Sequence, residues 1–166
     1  MDLILWRHAE TEVPREGPDD WTHELSAKGE RQALRMGLWL DRYLPAGTRV
    51  LASPARCTEQ TAQALGRPFK LREELLPHAQ VSDILQLLRW DVKNGPTTKG
   101  SVLIVGHQPY LGELVSLLLG MTEAATAFRK GAVWWLRSRL QEAGWQTVLL
   151  TVVSPELTFH ASDLPS

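Results

Sequence analysis

Apolar positions along the chain fall into two rhythms, short unbroken runs and helical spacings. Residues 3 to 6, LILW, form a run short enough for a buried strand, and residues 11 to 24, rich in Pro, Gly and acidic side chains, predict a loop. Ser26 is placed to cap a helix over roughly 27 to 44, closed by Pro45 and Gly47. TRVLA at 48 to 52 reads as a second strand, and Ser53 with Pro54 as a cap and first-turn pair opening a helix to about Leu65. Val81, Ile84, Leu85, Leu88 and Val92 keep a helical spacing, which predicts an amphipathic helix over 81 to 92. SVLIVG at 101 to 106 is the clearest buried strand, followed by a helix from Pro109 to Leu119. After Gly131, AVWWLRS and WQTVLLTVV flank a Gly-containing turn at 140 to 144 and predict an antiparallel hairpin at a sheet edge. The tail from Pro155 carries no pattern and is expected to be peripheral.

Strand and helix alternating in this way predict an α/β fold, a three-layer sandwich. Its central sheet is mainly parallel with an antiparallel edge hairpin, and helices cover both faces. The length of 166 residues fits a single domain spanning 1–166. Hydrophobic content of 43% with 22% charged residues is that of a folded chain, not a disordered one. A net charge of -1 argues against a nucleic-acid face, because binders of the phosphate backbone carry a basic excess. No apolar run reaches membrane length, and the Met-Asp start lacks a signal peptide's basic and apolar segments, so a cytoplasmic location is expected. The one cysteine, Cys57, excludes an internal disulfide and any multi-cysteine zinc site. Seven tryptophans are accounted for by aromatic bulk in core and rim.

Three predicted strands end in polar signals: Arg7 and His8 after the first, Ser53 to Arg56 after the second, Gly106 and His107 after the third. Open parallel sheets bind ligands beyond the carboxyl ends of their strands, so these residues can converge. Two of the strands lead into helix starts, where amide hydrogens and the dipole favour an anion. Two arginine forks match a phosphate's oxygens. Taken singly, a strand-end histidine is commonly structural and Arg56 a solvated helix residue. The conjunction points to a phosphoryl group, held either by an enzyme or by a non-catalytic phosphate-binding module.

RHAET at 7 to 11, LSAKGERQA at 25 to 33, SPARCTEQTA at 53 to 62 and VGHQP at 105 to 109 occur in one order along residues 3 to about 154. In these motifs the chain resembles the histidine phosphatase superfamily, and in its short length and GHQP it is similar to SixA-type phosphohistidine phosphatases. The resemblance implies His8 as nucleophile, with Arg7, Arg56 and His107 forming the phosphate pocket. On this expectation a protonated His107 and the two arginines supply positive charge, while His8 presents a neutral ring nitrogen whose partner N–H is held by a carbonyl. No cofactor and no metal are expected, since neither a P-loop nor an HExxH pair is present.

The substrate is the less constrained part. A general acid for an alcohol leaving group is sought among Glu73, Glu74, His78 and Asp83, none of which lies in a matched motif. Without one, a protonated phosphohistidine is the better substrate, because its imidazole leaves as a neutral group. The short segment between Arg56 and His107 leaves little room for a covering insertion, so an open cleft would admit phosphohistidine on a phosphotransfer protein. A small-molecule phosphomonoesterase or phosphoglycerate-mutase-like enzyme is the alternative. Cysteine phosphatases place an arginine six positions after their nucleophile; six after Cys57 stands Gln63, so Cys57 is expected to pack a helix. Members of the superfamily often read Arg-Pro-Leu where this chain has His23-Glu24-Leu25, which alters the pocket rim and makes His23 a candidate substrate contact. Ala9 stands where glycine is commoner, a change the turn should tolerate. Arg129 and Lys130 are expected to be a solvated charge pair.

Overall fold

The computed structural model describes residues 1–12 and 22–158. Along the chain run β1 (Asp2–Arg7), α1 (Ala27–Tyr43), β2 (Arg49–Ala52), α2 (Arg56–Gln63), β3 (Lys70–Leu71) and α3 (Val81–Leu87). Then come β4 (Trp90–Asp91), β5 (Gly95–Pro96), β6 (Ser101–Gly106), α4 (Tyr110–Leu119), β7 (Val133–Gln141) and β8 (Gly144–Val153). Six strands form one sheet in the order β3-β2-β6-β1-β7-β8. The first four are parallel, and β7 and β8 add the antiparallel edge hairpin.

Period-two alternation in the central strands sorts side chains onto two cores. Leu3 and Leu5 of β1, with Val102 and Ile104 of β6, pack against Ile84 and Leu88 of the α3 segment and Leu111 and Leu114 of α4. Ile4 and Trp6, with Leu103 and Val105, face Met36 and Leu40 of α1 and Ala62 of α2. Every one of these strand side chains is fully buried. Truncating one such leucine to alanine costs about 2–5 kcal/mol, so the two central strands are a fixed platform for whatever their ends carry. Helix α1 begins where expected, with Ser26 Oγ accepting from the Gly29 amide at 3.0 Å. A Cβ at Gly29 would collide with the backbone carbonyl of Glu10, so glycine there lets α1 press against the chain leaving β1.

Several expectations are corrected. The helix foreseen over 81 to 92 stops at Leu87; Arg89 takes a left-handed φ of 52°, and Trp90 pairs with Pro96 in a two-strand hairpin. The reason is local competition: Thr98 Oγ1 donates to the Leu88 carbonyl at 3.1 Å, and Asp91 Oδ1 accepts from the amides of Lys93 and Asn94. Val92, which carried the helical spacing forward, is exposed. Strand β3 is a two-residue exposed edge, too short to show a period. The tail is less peripheral than expected at its start, where Pro155–Leu157 make a 3-10 turn and the Pro155 ring lies against Gly131. The loop foreseen over 11 to 24 falls largely outside the described residues; its ends, Thr11 and Leu25, pair in an isolated antiparallel bridge. Among the described residues no helix is long and apolar enough to cross a membrane.

Candidate active site

Strand register assembles the site. Arg7 at the end of β1 lies opposite Gly106 at the end of β6, and the His8 amide continues the ladder to the Gly106 carbonyl at 3.1 Å. The next residues, His8 and His107, therefore emerge side by side, with ring centroids 5.3 Å apart. On the other flank of β6, Ala52 of β2 pairs with Val105, and the Ser53 amide donates to the Val105 carbonyl. Glycine at 106 is required here, because a Cβ would overlap the hydroxyl of Tyr110, which donates to the Leu75 carbonyl beneath the site.

Each functional side chain is held by a neighbour. His8 Nδ1 lies 2.8 Å from the carbonyl of Ala9. A carbonyl only accepts, so Nδ1 carries the hydrogen and Nε2 is the nitrogen that bears the lone pair. Ala9 fits without strain: it is fully buried and its amide donates to Thr61 Oγ1 at 3.2 Å. Arg7 Nη1 donates to the Phe128 carbonyl at 2.7 Å, while Arg7 Nε is buried with no hydrogen-bond partner among the described residues. Burial lowers the Arg7 pKa, yet a guanidinium keeps its charge, so this is a partly buried cation suited to an anion.

His107 departs from expectation. Burial first, then the neighbouring His8 and Arg7, push its pKa down to about 3, so at neutral pH it is uncharged and not the protonated cation foreseen. Its Nε2 lies 2.9 Å from Ser53 Oγ, a hydroxyl that also accepts from the Ala55 amide at 3.3 Å. Ser53 is thus the tether of His107. It is not the helix cap that its place before Pro54 implied, since α2 is capped at Ala55 with no side-chain bond.

Arg7, His8, Cys57 and His107 line a cleft of about 210 Å³, with Thr11, His23, Pro77 and Gln108 completing its wall. Cys57 was expected to be a helix-packing residue; it is buried beside Ala9 and Ala33, but its sulfur and one nitrogen from each of His8 and His107 lie within 4.8 Å of one another. Arg56 does not line the cleft. Its Nε sits 3.4 Å from Glu24 Oε1 in a partly exposed pair, the rim change anticipated at His23-Glu24-Leu25.

The four candidate acids are not on the cleft wall. Glu74 is bound to Arg72 at 2.6 Å, and Asp83 accepts from the Gln80 amide at 3.1 Å in the capping box of α3. Both line a different, larger cavity of about 1090 Å³ that holds none of the histidines. Glu73 and His78 are exposed. Arg129 reaches Glu156 at 3.4 Å on the surface, in keeping with a solvated charge. Sequence reasoning placed Ser53 among the converging residues but missed its contact with His107, and it missed Cys57 and Gln108 as parts of the cleft, although all three stand inside motifs already singled out.

Fold and site together define an α/β protein with a partly buried arginine and a histidine pair at the carboxyl ends of parallel strands. The family model described as histidine phosphatase superfamily (branch 1) matches residues 3–84. A protein of Haemophilus influenzae named phosphohistidine phosphatase SixA homolog is 29% identical over 133 residues, covering 72% of this chain and 78% of that protein. Among solved structures, the protein histidine phosphatase SixA complexed with tungstate has 25% identity and a TM-score of 0.72, covering 93% of this chain and 97% of its own. A phosphoserine phosphatase mutant from Entamoeba histolytica in complex with phosphoserine shares the fold at 15% identity, TM-score 0.69, over 93% of this chain and 98% of its own. The chain thus carries a histidine phosphatase superfamily match over residues 3–84 and is similar to SixA proteins over most of its length.

Proposed function

We propose that this protein is a phosphatase that removes phosphate from phosphohistidine on a partner protein of the phosphotransfer type. The observation that carries the reading is His8, with Nδ1 tied to a carbonyl and its ring set beside His107, in a cleft whose described wall bears no carboxylate. His8 Nε2 attacks phosphorus, the P–N bond of the substrate breaks, and the partner's imidazole leaves neutral. Water then attacks the phosphorus on His8, giving inorganic phosphate and restoring the ring. Because the transferring group carries its charge on three peripheral oxygens, placing cations and N–H donors around it is most of the catalytic task.

Arg7 supplies the partly buried charge that a phosphate oxygen would meet. His107 acts first as a neutral ring tethered by Ser53, and a bound phosphate's negative charge acts against the influences that keep it uncharged. Arg56, on the first turn of α2 next to Cys57, joins by exchanging Glu24 for phosphate. That exchange is easy because an exposed pair at 3.4 Å is weak. His23 on the cleft wall meets the substrate's own surface. The chemistry assigned to these residues calls for no resident metal.

The test is direct: compare phosphate release from a phosphohistidine-bearing phosphotransfer protein and from 3-phosphoglycerate, and trap the phosphoenzyme. The expected result is faster turnover of the phosphoprotein and an acid-labile label on His8. Faster turnover of the alcohol ester would move the assignment to a small-molecule phosphatase, and no turnover of either with retained phosphate binding would make the protein a binding module.

A further inference from the structure

Cys57 has no step in this phosphoryl transfer, yet its sulfur lies within 4.8 Å of a ring nitrogen of His8 and one of His107. We propose that His8, Cys57 and His107 together form a binding site for a thiophilic divalent cation, Zn²⁺, at the centre of the cleft. One ligand atom from each residue lies within 4.8 Å of the other two. Tetrahedral zinc with ordinary Zn–N and Zn–S lengths holds its donors about 3.3–3.6 Å apart, so an inward adjustment on the order of 1 Å completes the set. Two imidazoles and one thiolate suit Zn²⁺ and reject Mg²⁺ or Ca²⁺, which take oxygen ligands. A fourth position facing the cleft is left for water or a phosphate oxygen.

The outer contacts are those that metal-bound histidines use. His8 Nδ1–H donates to the Ala9 carbonyl at 2.8 Å, directing Nε2 at the metal. His107 Nε2 faces Ser53 Oγ at 2.9 Å, which leaves Nδ1 as its ligand atom and Ser53 as acceptor of the Nε2 hydrogen. Cys57 and His107 are buried, and the three ligands come from separate elements, the ends of β1 and β6 and the first turn of α2. Binding displaces the thiol proton of Cys57 to solvent and forms one Zn–S and two Zn–N bonds with no change of oxidation state. The guanidinium of Arg7 opposes the metal's charge and the thiolate offsets it. A lone pair on His8 Nε2 that is given to zinc cannot attack phosphorus, so occupancy inhibits the enzyme; this consequence rests on the phosphatase reading, whereas the binding does not.

The reduced full-length chain is titrated with Co²⁺, a spectroscopic stand-in for Zn²⁺, and Zn²⁺ affinity is measured by calorimetry. One equivalent is expected, with tetrahedral cobalt bands and a thiolate-to-cobalt charge-transfer band that Zn²⁺ removes. Cys57→Ser should abolish the charge-transfer band and weaken Zn²⁺ about tenfold or more, and Cys57→Ala repeats the measurement with a residue suited to the buried helix position. A Co²⁺ spectrum without the thiolate band, or a Zn²⁺ affinity unmoved in both folded variants, overturns the site. Zn²⁺ that displaces the thiolate-bound cobalt but leaves phosphohistidine hydrolysis at full rate overturns instead the role of His8 as nucleophile.

Discussion

The cleft at His8 encloses about 210 Å³, and the cavity between β2, β3 and α3 about 1090 Å³, so size alone would send a ligand to the second. Their polar groups differ in another way. In the large cavity Glu74 is closed in an ion pair with Arg72, and the Asp83 carboxylate is spent on the Gln80 amide. In the small one Arg7 Nε is buried without a hydrogen-bond partner among the described residues, and a hydrogen bond orients each histidine ring. Satisfied polar groups have little left to give a ligand, whereas pre-oriented and incompletely satisfied ones gain most from it. The comparison teaches that residual hydrogen-bonding and charge demand, more than volume, marks the candidate site on this sheet.

The sharpest break in that comparison is His8→Ala set against Arg72→Ala. Loss of the proposed nucleophile should reduce turnover of the phosphohistidine protein by about 10⁴-fold or more while inorganic phosphate still binds. Arg72→Ala, which opens the ion pair in the large cavity, should leave the rate within about twofold. The reverse pattern would transfer the chemistry to the larger cavity. Next in size is Arg7→Lys, which keeps a positive charge but removes the planar fork; a fall of about 10²-fold is expected, and under about fivefold would mean that charge alone suffices.

A third effect concerns stability. An unfolded chain protonates His107 near its ordinary value of 6.5, but the folded chain resists protonation down to about 3. In that interval the unfolded state binds more protons, so stability is intact above pH 6.5 and falls as pH drops toward 3, by about 1.4 kcal/mol per unit at the steepest. Urea midpoints of the wild type and His107→Gln, measured from pH 7 to pH 4, read this directly. The variant should show the shallower decline, and parallel declines would mean that His107 titrates normally in the fold.

The legible parts of the molecule were those with repetition or strong local chemistry. Buried runs in β1 and β6 and the cap at Ser26 declared themselves, and the order of motifs at strand ends gave Arg7, His8 and His107 their convergence. What escaped was decided by contacts that residue spacing does not display. The hairpin after α3 depends on Thr97 and Thr98 turning back to the Arg89 and Leu88 carbonyls, against a spacing that ran on to Val92. Ser53 before Pro54 has the look of a cap, and only the pairing of β2 with β6 brings it to His107. Cys57 reads as an apolar helix residue because it is one, but the first turn of α2 also points it at the histidines. The charge of His107 lay beyond sequence altogether, since it follows from burial and from the neighbouring His8 and Arg7.

The smallest expected effect, and the one that tests the cleft's rim, is Glu24→Gln. Glu24 engages Arg56 at 3.4 Å with both side chains substantially exposed, so breaking the pair should change the urea midpoint very little. Its catalytic consequence should be clearer than its structural one. With the carboxylate neutralised, Arg56 no longer has to leave a partner to meet phosphate, and one negative charge is removed from the path of an anionic substrate. KM for the phosphohistidine protein should fall about two- to threefold with kcat nearly constant. The difference should shrink as ionic strength rises toward 1 M, where the screening length falls to about 3 Å. An unchanged KM at low salt would mean that Arg56 stays with its rim partners, and phosphate in this cleft would then be held by Arg7, His107 and the helix amides.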